Sequence, residues 1–170
     1  MAAVAVHGDA VTPRRKAPHW SAALVQLHAC HEAVAWAKRQ PTYAKAWSSC
    51  RRADWLLWLA GRTDADRAAV VLAACACART ALPHVRAGEL RPLRAIETAE
   101  AWCRGEATIE QVREARRAAA AVCANAANAA AANAADAAVC AADARSKALA
   151  SMAPLVRLHI KRPSLPKVMP

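Results

Sequence analysis

The chain has 170 residues, with 24 basic against 13 acidic side chains and a formal net charge of +11. Fifty residues are alanine, against one tyrosine, four glycines and no phenylalanine. Alanine loses no side-chain entropy in a helix and β-branched runs are absent, so the composition excludes a β-rich fold.

What it predicts is an all-α, compact bundle of about six to seven helices with Ala-rich close packing. Bulk in such a core has to come from the six tryptophans and scattered Leu, Val and Ile. No apolar run approaches the roughly 20 residues of a membrane span. The opening MAAVAVHGDAVTPRRK places its charges after a short apolar part, the reverse of a secretory signal, so a cytoplasmic location is expected. Residues 1–18 read as a flexible basic arm, 19–151 as one helical domain, and 152–170 as a basic Pro-containing tail not needed for the fold.

In chain order, a first helix is expected over 20–39, stopping before Pro41. Trp20, Leu24, Leu27, His31 and Val34 form its stripe, within about 80° on a helical wheel. A second helical stretch over 42–60 carries Trp55, Trp58 and Leu59 on one face. A break is expected near Ser48-Ser49, and Gly61 at the end. Thr63 with Asp66 resembles a capping box for a third helix over 64–82, closed by Pro83. Pro92 fits the first turn of a helix over 92–104, where its missing N–H is not needed. Ile96, Ala99 and Cys103 recur there beside Trp102, and Gly105 supplies the stop.

Thr108 and Gln111 form a clearer capping box for a helical run over about 109–150. At 1.5 Å per residue that run would reach roughly 63 Å, too long for a domain of this size. A turn is therefore expected near Asn125 to Asn133. Beyond Ser151, four prolines interrupt the chain, and Leu155, Val156, Leu158 and Ile160 are too few to bury alone; docking of this short cluster against the bundle is the alternative, which would move the boundary toward Lys161.

The chemistry-bearing residues are sparse. Seven cysteines without a C-x-x-C pair read as reduced, structural thiols. His28 and His31 would lie three apart on a helix, a spacing that suits a shared metal. No second ligand pair accompanies them, and His31 falls in the apolar stripe, so a core histidine is the expectation. A Cys–His84 nucleophile would lack an elbow or a glycine-rich loop, so neither catalysis nor a cofactor is expected. Trp55, Trp58 and Trp102, with Arg91, Pro92 and Ile96, are the expected structural anchors. Glu97 and Glu100 have Arg91, Arg94 and Arg104 within helical pairing distance. Candidate partner-binding residues are Arg51, Arg52 and Asp54 beside the Trp pair, Glu97, and the polar stripe Asn125, Asn128, Asn133 and Asp136.

Asp54 to Leu59 (DWLLWL), Cys77-Ala78-Arg79 with Leu82-Pro83, Arg91-Pro92, Ala95-Ile96-Glu97, and Trp102 followed by Arg104-Gly105 together resemble one family. It comprises the small helical immunity proteins of bacterial polymorphic toxin systems, also found in phages. The resemblance covers roughly residues 50 to 145, and it implies a non-catalytic protein that sequesters a toxin or other protein partner by docking. The positive charge points to a partner with an acidic surface, since a basic inhibitor meets like charge on a nuclease cleft. An alternative reading is a nucleic-acid-associated accessory protein of a phage or bacterium, held to phosphates by its basic ends. That binding would be non-specific, because the sequence shows no helix-turn-helix, zinc knuckle or aromatic-interleaved basic patch.

Overall fold

A computed structural model describes residues 17–131 and 134–167, with side chains described outside 122–144. Among these residues there are eight α-helices, one 3₁₀ turn and no strand. The basic arm expected over 1–18 therefore lies almost wholly outside the described residues.

The single first helix expected over 20–39 is in fact two, α1 (Ala22–Gln26) and α2 (His31–Lys38). The break is a Schellman motif. The N–H of Ala29 donates to the Leu24 carbonyl at 2.9 Å and that of His28 to Val25 at 2.9 Å. His28 takes the left-handed position at φ 60°, where glycine is usual, so the sequence carries no stop signal. His28 and His31 consequently do not share a helix face, and both are exposed. The expected core histidine is thus a surface residue on the first turn of α2.

The next stretch also divides, into α3 (Tyr43–Ser49) and α4 (Ala53–Arg62). The break falls at Cys50 to Arg52. Ser48 and Ser49 complete α3, their hydroxyls donating to the Lys45 carbonyl. Gly61 lies within α4, and Thr63 closes that helix, donating its hydroxyl to the Leu59 carbonyl at 2.8 Å. Thr63 is therefore not half of a capping box. Asp66 alone caps α5 (Arg67–Arg79), accepting from the Ala69 N–H at 2.8 Å.

Pro83 sits in a 3₁₀ turn (Leu82–His84), and α6 (Arg91–Cys103) has Pro92 in its first turn. Gly105 adopts φ 79°, and the Glu106 N–H closes a second Schellman motif onto Ala101 at 2.9 Å. The Thr108–Gln111 capping box is present in both directions, at 2.7 and 3.2 Å, ahead of α7 (Ile109–Ala131). The last helix, α8, runs Ala134–His159. Asn125 and Asn128 thus fall on the helical backbone of α7 and Asp136 on that of α8. Asn133 lies outside the described residues, as do the side chains of the other three.

The packing order follows from two cysteines two residues apart on α5. Cys75 donates its thiol toward the Ile96 carbonyl of α6, and Cys77 toward the Met152 carbonyl of α8. Residues i and i+2 point to opposite sides of a helix, so α5 is sandwiched between α6 and α8. On the outside, α7 packs on α6, and α4 packs on α8 and α5. The core joins Leu24, Val34, Trp47, Leu56 and Leu59 to Ala73 and Cys77 across alanine-faced helices.

Residues 152–167 are not a loose tail. Ala153, Val156 and Ile160 are 1%, 0% and 3% exposed and belong to that core. The reason is periodicity: spacings of three and four put them on the inner face of α8, while Pro154 and Leu158 face out. Of the apolar residues too few to bury alone, Val156 and Ile160 are buried in the core and Leu155 packs against it, while Leu158 stays exposed.

Among the expected anchors, Ile96 is buried, and Trp55 and Trp58 are half-buried against the core. Trp102 is half-buried on α6. The tryptophan at the centre is Trp47, 7% exposed, which sequence periodicity did not single out.

Candidate functional site

Five of the six tryptophans and the only tyrosine lie between residues 20 and 58. The breaks in both early helices fold these aromatics onto one another. Trp20 and Tyr43 are 5.5 Å apart at their ring centroids, and Trp36 and Trp55 are 5.9 Å apart. Together with Trp47 and Trp58 they line a half-open apolar crevice of about 50 Å³, with Ala29, Ala33 and Leu56 between the rings.

Arginines lie on the same rings. The Arg52 guanidinium sits 4.3 Å from the Trp55 centroid, Arg62 5.9 Å from Trp58, and Arg162 5.3 Å from Tyr43. Such cation–π contacts hold an arginine against an aromatic face. An aromatic-interleaved basic patch is therefore present, although no continuous stretch of sequence contains one.

The three arginines differ in what remains for a partner. Arg52 is a clamp: its Nε and Nη2 reach both Asp54 oxygens at 2.9 and 2.8 Å, and its Nη1 reaches Glu32 at 3.2 Å. The hydrogen bond from Arg52 holds the Asp54 carboxyl below its usual range. This network ties the starts of α2 and α4 together and consumes the charges of Arg52 and Asp54 internally. Arg51, beside them, is exposed, and among the described residues it forms no ion pair. Arg62 and Arg162 are also exposed and form no ion pair among the described residues.

The C-terminal segment completes this end of the molecule. Tyr43 donates its hydroxyl to the Pro163 carbonyl at 2.8 Å, and the Ser164 N–H donates to Asp64 at 2.9 Å. Burial pushes the Tyr43 hydroxyl well above its usual pKa. Arg157 donates to the Trp47 and Cys50 carbonyls at 3.1 and 2.9 Å, capping the end of α3. Residues 17–64 and 157–167 together hold ten basic and three acidic side chains, and Arg52 already engages two of those carboxylates.

By contrast, residues 86–121 hold seven basic and six acidic side chains. An open groove of about 620 Å³ runs between α6 and α7, and Glu97 lies on it with Arg91, Arg94 and Arg104. The expected helical pairs do not form there. Arg91 pairs with Glu89, Arg104 pairs with Glu106, and Glu100 takes a two-pronged pair from Arg79 of α5 at 2.9 and 2.7 Å. A two-pronged guanidinium–carboxylate contact between helices outcompetes single contacts along one exposed helix face. Glu97 is therefore on a near-neutral groove, apart from the Arg51–Asp54 cluster.

Four of the five described thiols are poor nucleophiles. Cys30, Cys50, Cys75, Cys77 and Cys103 are free. Burial raises the pKa of Cys50, Cys77 and Cys103, and pushes Cys75 up to about 11. No group of three His, Cys, Asp or Glu able to hold a metal occurs among the described residues. None of the described helices is long and apolar enough to cross a membrane. No family model, curated protein or solved structure matches this chain.

Proposed function

We propose that the chain is a non-catalytic binding protein of the immunity type, acting in the cytoplasm, which sequesters a protein partner bearing an acidic surface. The observation that carries this reading is the uneven charge: ten basic against three acidic side chains at the aromatic-rich end, against near balance at the α6–α7 end. Trp, Tyr and Arg are the residues that most often dominate binding energy at protein interfaces, and here they share one crevice rim. Exposed, unpaired cations steer an acidic partner and speed its association. The buried thiols Cys50, Cys75 and Cys77, which burial keeps protonated, suit a binding role.

A quantitative pull-down from producing cells tests the reading, with the native chain compared against a triple variant, Arg51→Glu, Arg62→Glu and Arg162→Glu. The expected result is a stoichiometric protein partner that resists nuclease treatment, weakens as salt rises, and is lost with the triple variant. Arginines resting on aromatic rings also favour single-stranded nucleic acid, whose bases stack and whose phosphates pair. Bound material that nuclease removes would replace the immunity reading with that one.

A further inference from the structure

Resting on the docking reading above, we infer that the aromatic crevice is an anchor pocket for an acidic peptide segment of the partner. One aliphatic side chain of that segment enters between the rings, while its flanking carboxylates pair with Arg62 and Arg162.

Size, lining and charge each restrict the occupant. An apolar cavity that holds benzene measures roughly 150 Å³. The crevice, at about 50 Å³, takes two or three carbons, the end of a Val, Ile or Leu side chain. Its walls are indole, phenol and methyl groups, so a polar or charged tip would lose its water without gaining partners. A cationic tip is further disfavoured, because guanidinium groups already lie on the rings of Tyr43, Trp55 and Trp58.

The same arginines select the flanks. Arg52 is saturated by Asp54 and Glu32, whereas Arg62 and Arg162 are exposed and form no ion pair among the described residues. Carboxylates on either side of the anchor would complete both guanidinium groups.

A synthetic Asp/Glu-rich peptide with one central Leu serves as the probe, read by the indole N–H signals of the full chain in solution. The expected result is that signals of the crevice tryptophans move on titration while Trp102, on α6, stays still as an internal reference. Replacing the central Leu with Ala in the peptide should weaken binding by about tenfold or more. Filling the crevice with Ala29→Leu should abolish the response, with a thermal melt confirming that this variant folds.

Equal affinity of the Leu and Ala peptides would overturn the pocket while leaving charge-driven docking intact. Binding of neither peptide, or uniform movement of all six indole signals, would also overturn it. An oligodeoxythymidylate that moves the crevice signals more strongly than the peptide would assign the face to nucleic acid instead.

Discussion

Val156 and Leu158 lie two residues apart near the end of α8, and they make opposite predictions. Val156 is 0% exposed and Leu158 is 78% exposed. Val156→Ala removes two buried carbons at about 0.8 kcal/mol each, and the cavity left between α4, α5 and α8 raises the cost to about 2–3 kcal/mol. Leu158→Ala removes more carbon but from water, so its effect should stay within about 0.5 kcal/mol. For a chain of this size the first change lowers the melting temperature by about 4–10 °C, and the second leaves it nearly unchanged. Truncation after Ser151 removes Val156 and Ile160 together, at about 1.5–3 kcal/mol of burial each, and also the Arg157 contacts. That sum is comparable to the 5–15 kcal/mol by which whole domains are stable, so the truncated chain should lose its cooperative transition. Thermal and urea unfolding followed by circular dichroism measure all three. Equal effects of the two point changes, or a truncated chain that melts normally, would refute the placement of this segment in the core.

Other expectations follow from single contacts. Arg157→Met keeps the aliphatic stem but leaves the Trp47 and Cys50 carbonyls without their donor, and should cost about 1–3 kcal/mol in urea unfolding. Trp47→Ala should destabilise by about 3–5 kcal/mol, clearly more than Trp102→Ala; the reverse order would displace Trp47 from the centre of the core. His28→Gly relieves a left-handed residue and should raise stability by up to about 1 kcal/mol, so a lowered melting temperature would count against the α1–α2 turn. The Cys75 pKa is raised by folding, from 9.0 to about 11. Its contribution is therefore fully present below pH 9 and is lost as pH climbs toward 11. Unfolding scans from pH 8 to 11 should show that loss, and Cys75→Ala should make it shallower, leaving the part due to the other raised thiols and Tyr43.

Much of the fold was legible from local rules. Alanine content set the class, and several helix ends written in their own residues match the sequence expectation, although Gly61 lies inside α4 and Thr63 closes that helix instead of pairing with Asp66. Pro92 starts α6, Gly105 ends it, and Thr108 with Gln111 opens α7. These signals are local because the groups they satisfy, the unpaired N–H and C=O groups of a helix end, lie within a few residues.

What tertiary structure decided were the features whose partners are distant in sequence. The break between α3 and α4 is satisfied by Arg157, more than 100 residues away. The break at His28 uses a residue that takes the left-handed conformation with no sequence warning, and it converts one long helix into a corner. Those two corners bring Trp20, Tyr43, Trp36 and Trp55 into contact, and the returning C-terminal segment adds Arg162 to the rings. Periodicity could propose that Trp55 and Trp58 face inward, but it could not gather five tryptophans, or divide the net charge between two ends. Composition determined that this protein is helical and basic. Only the folding of the chain back on itself decided that its aromatic and cationic residues meet, because burial of Val156 and Ile160 between α4 and α5 is what draws the basic C-terminal segment onto the aromatic crevice.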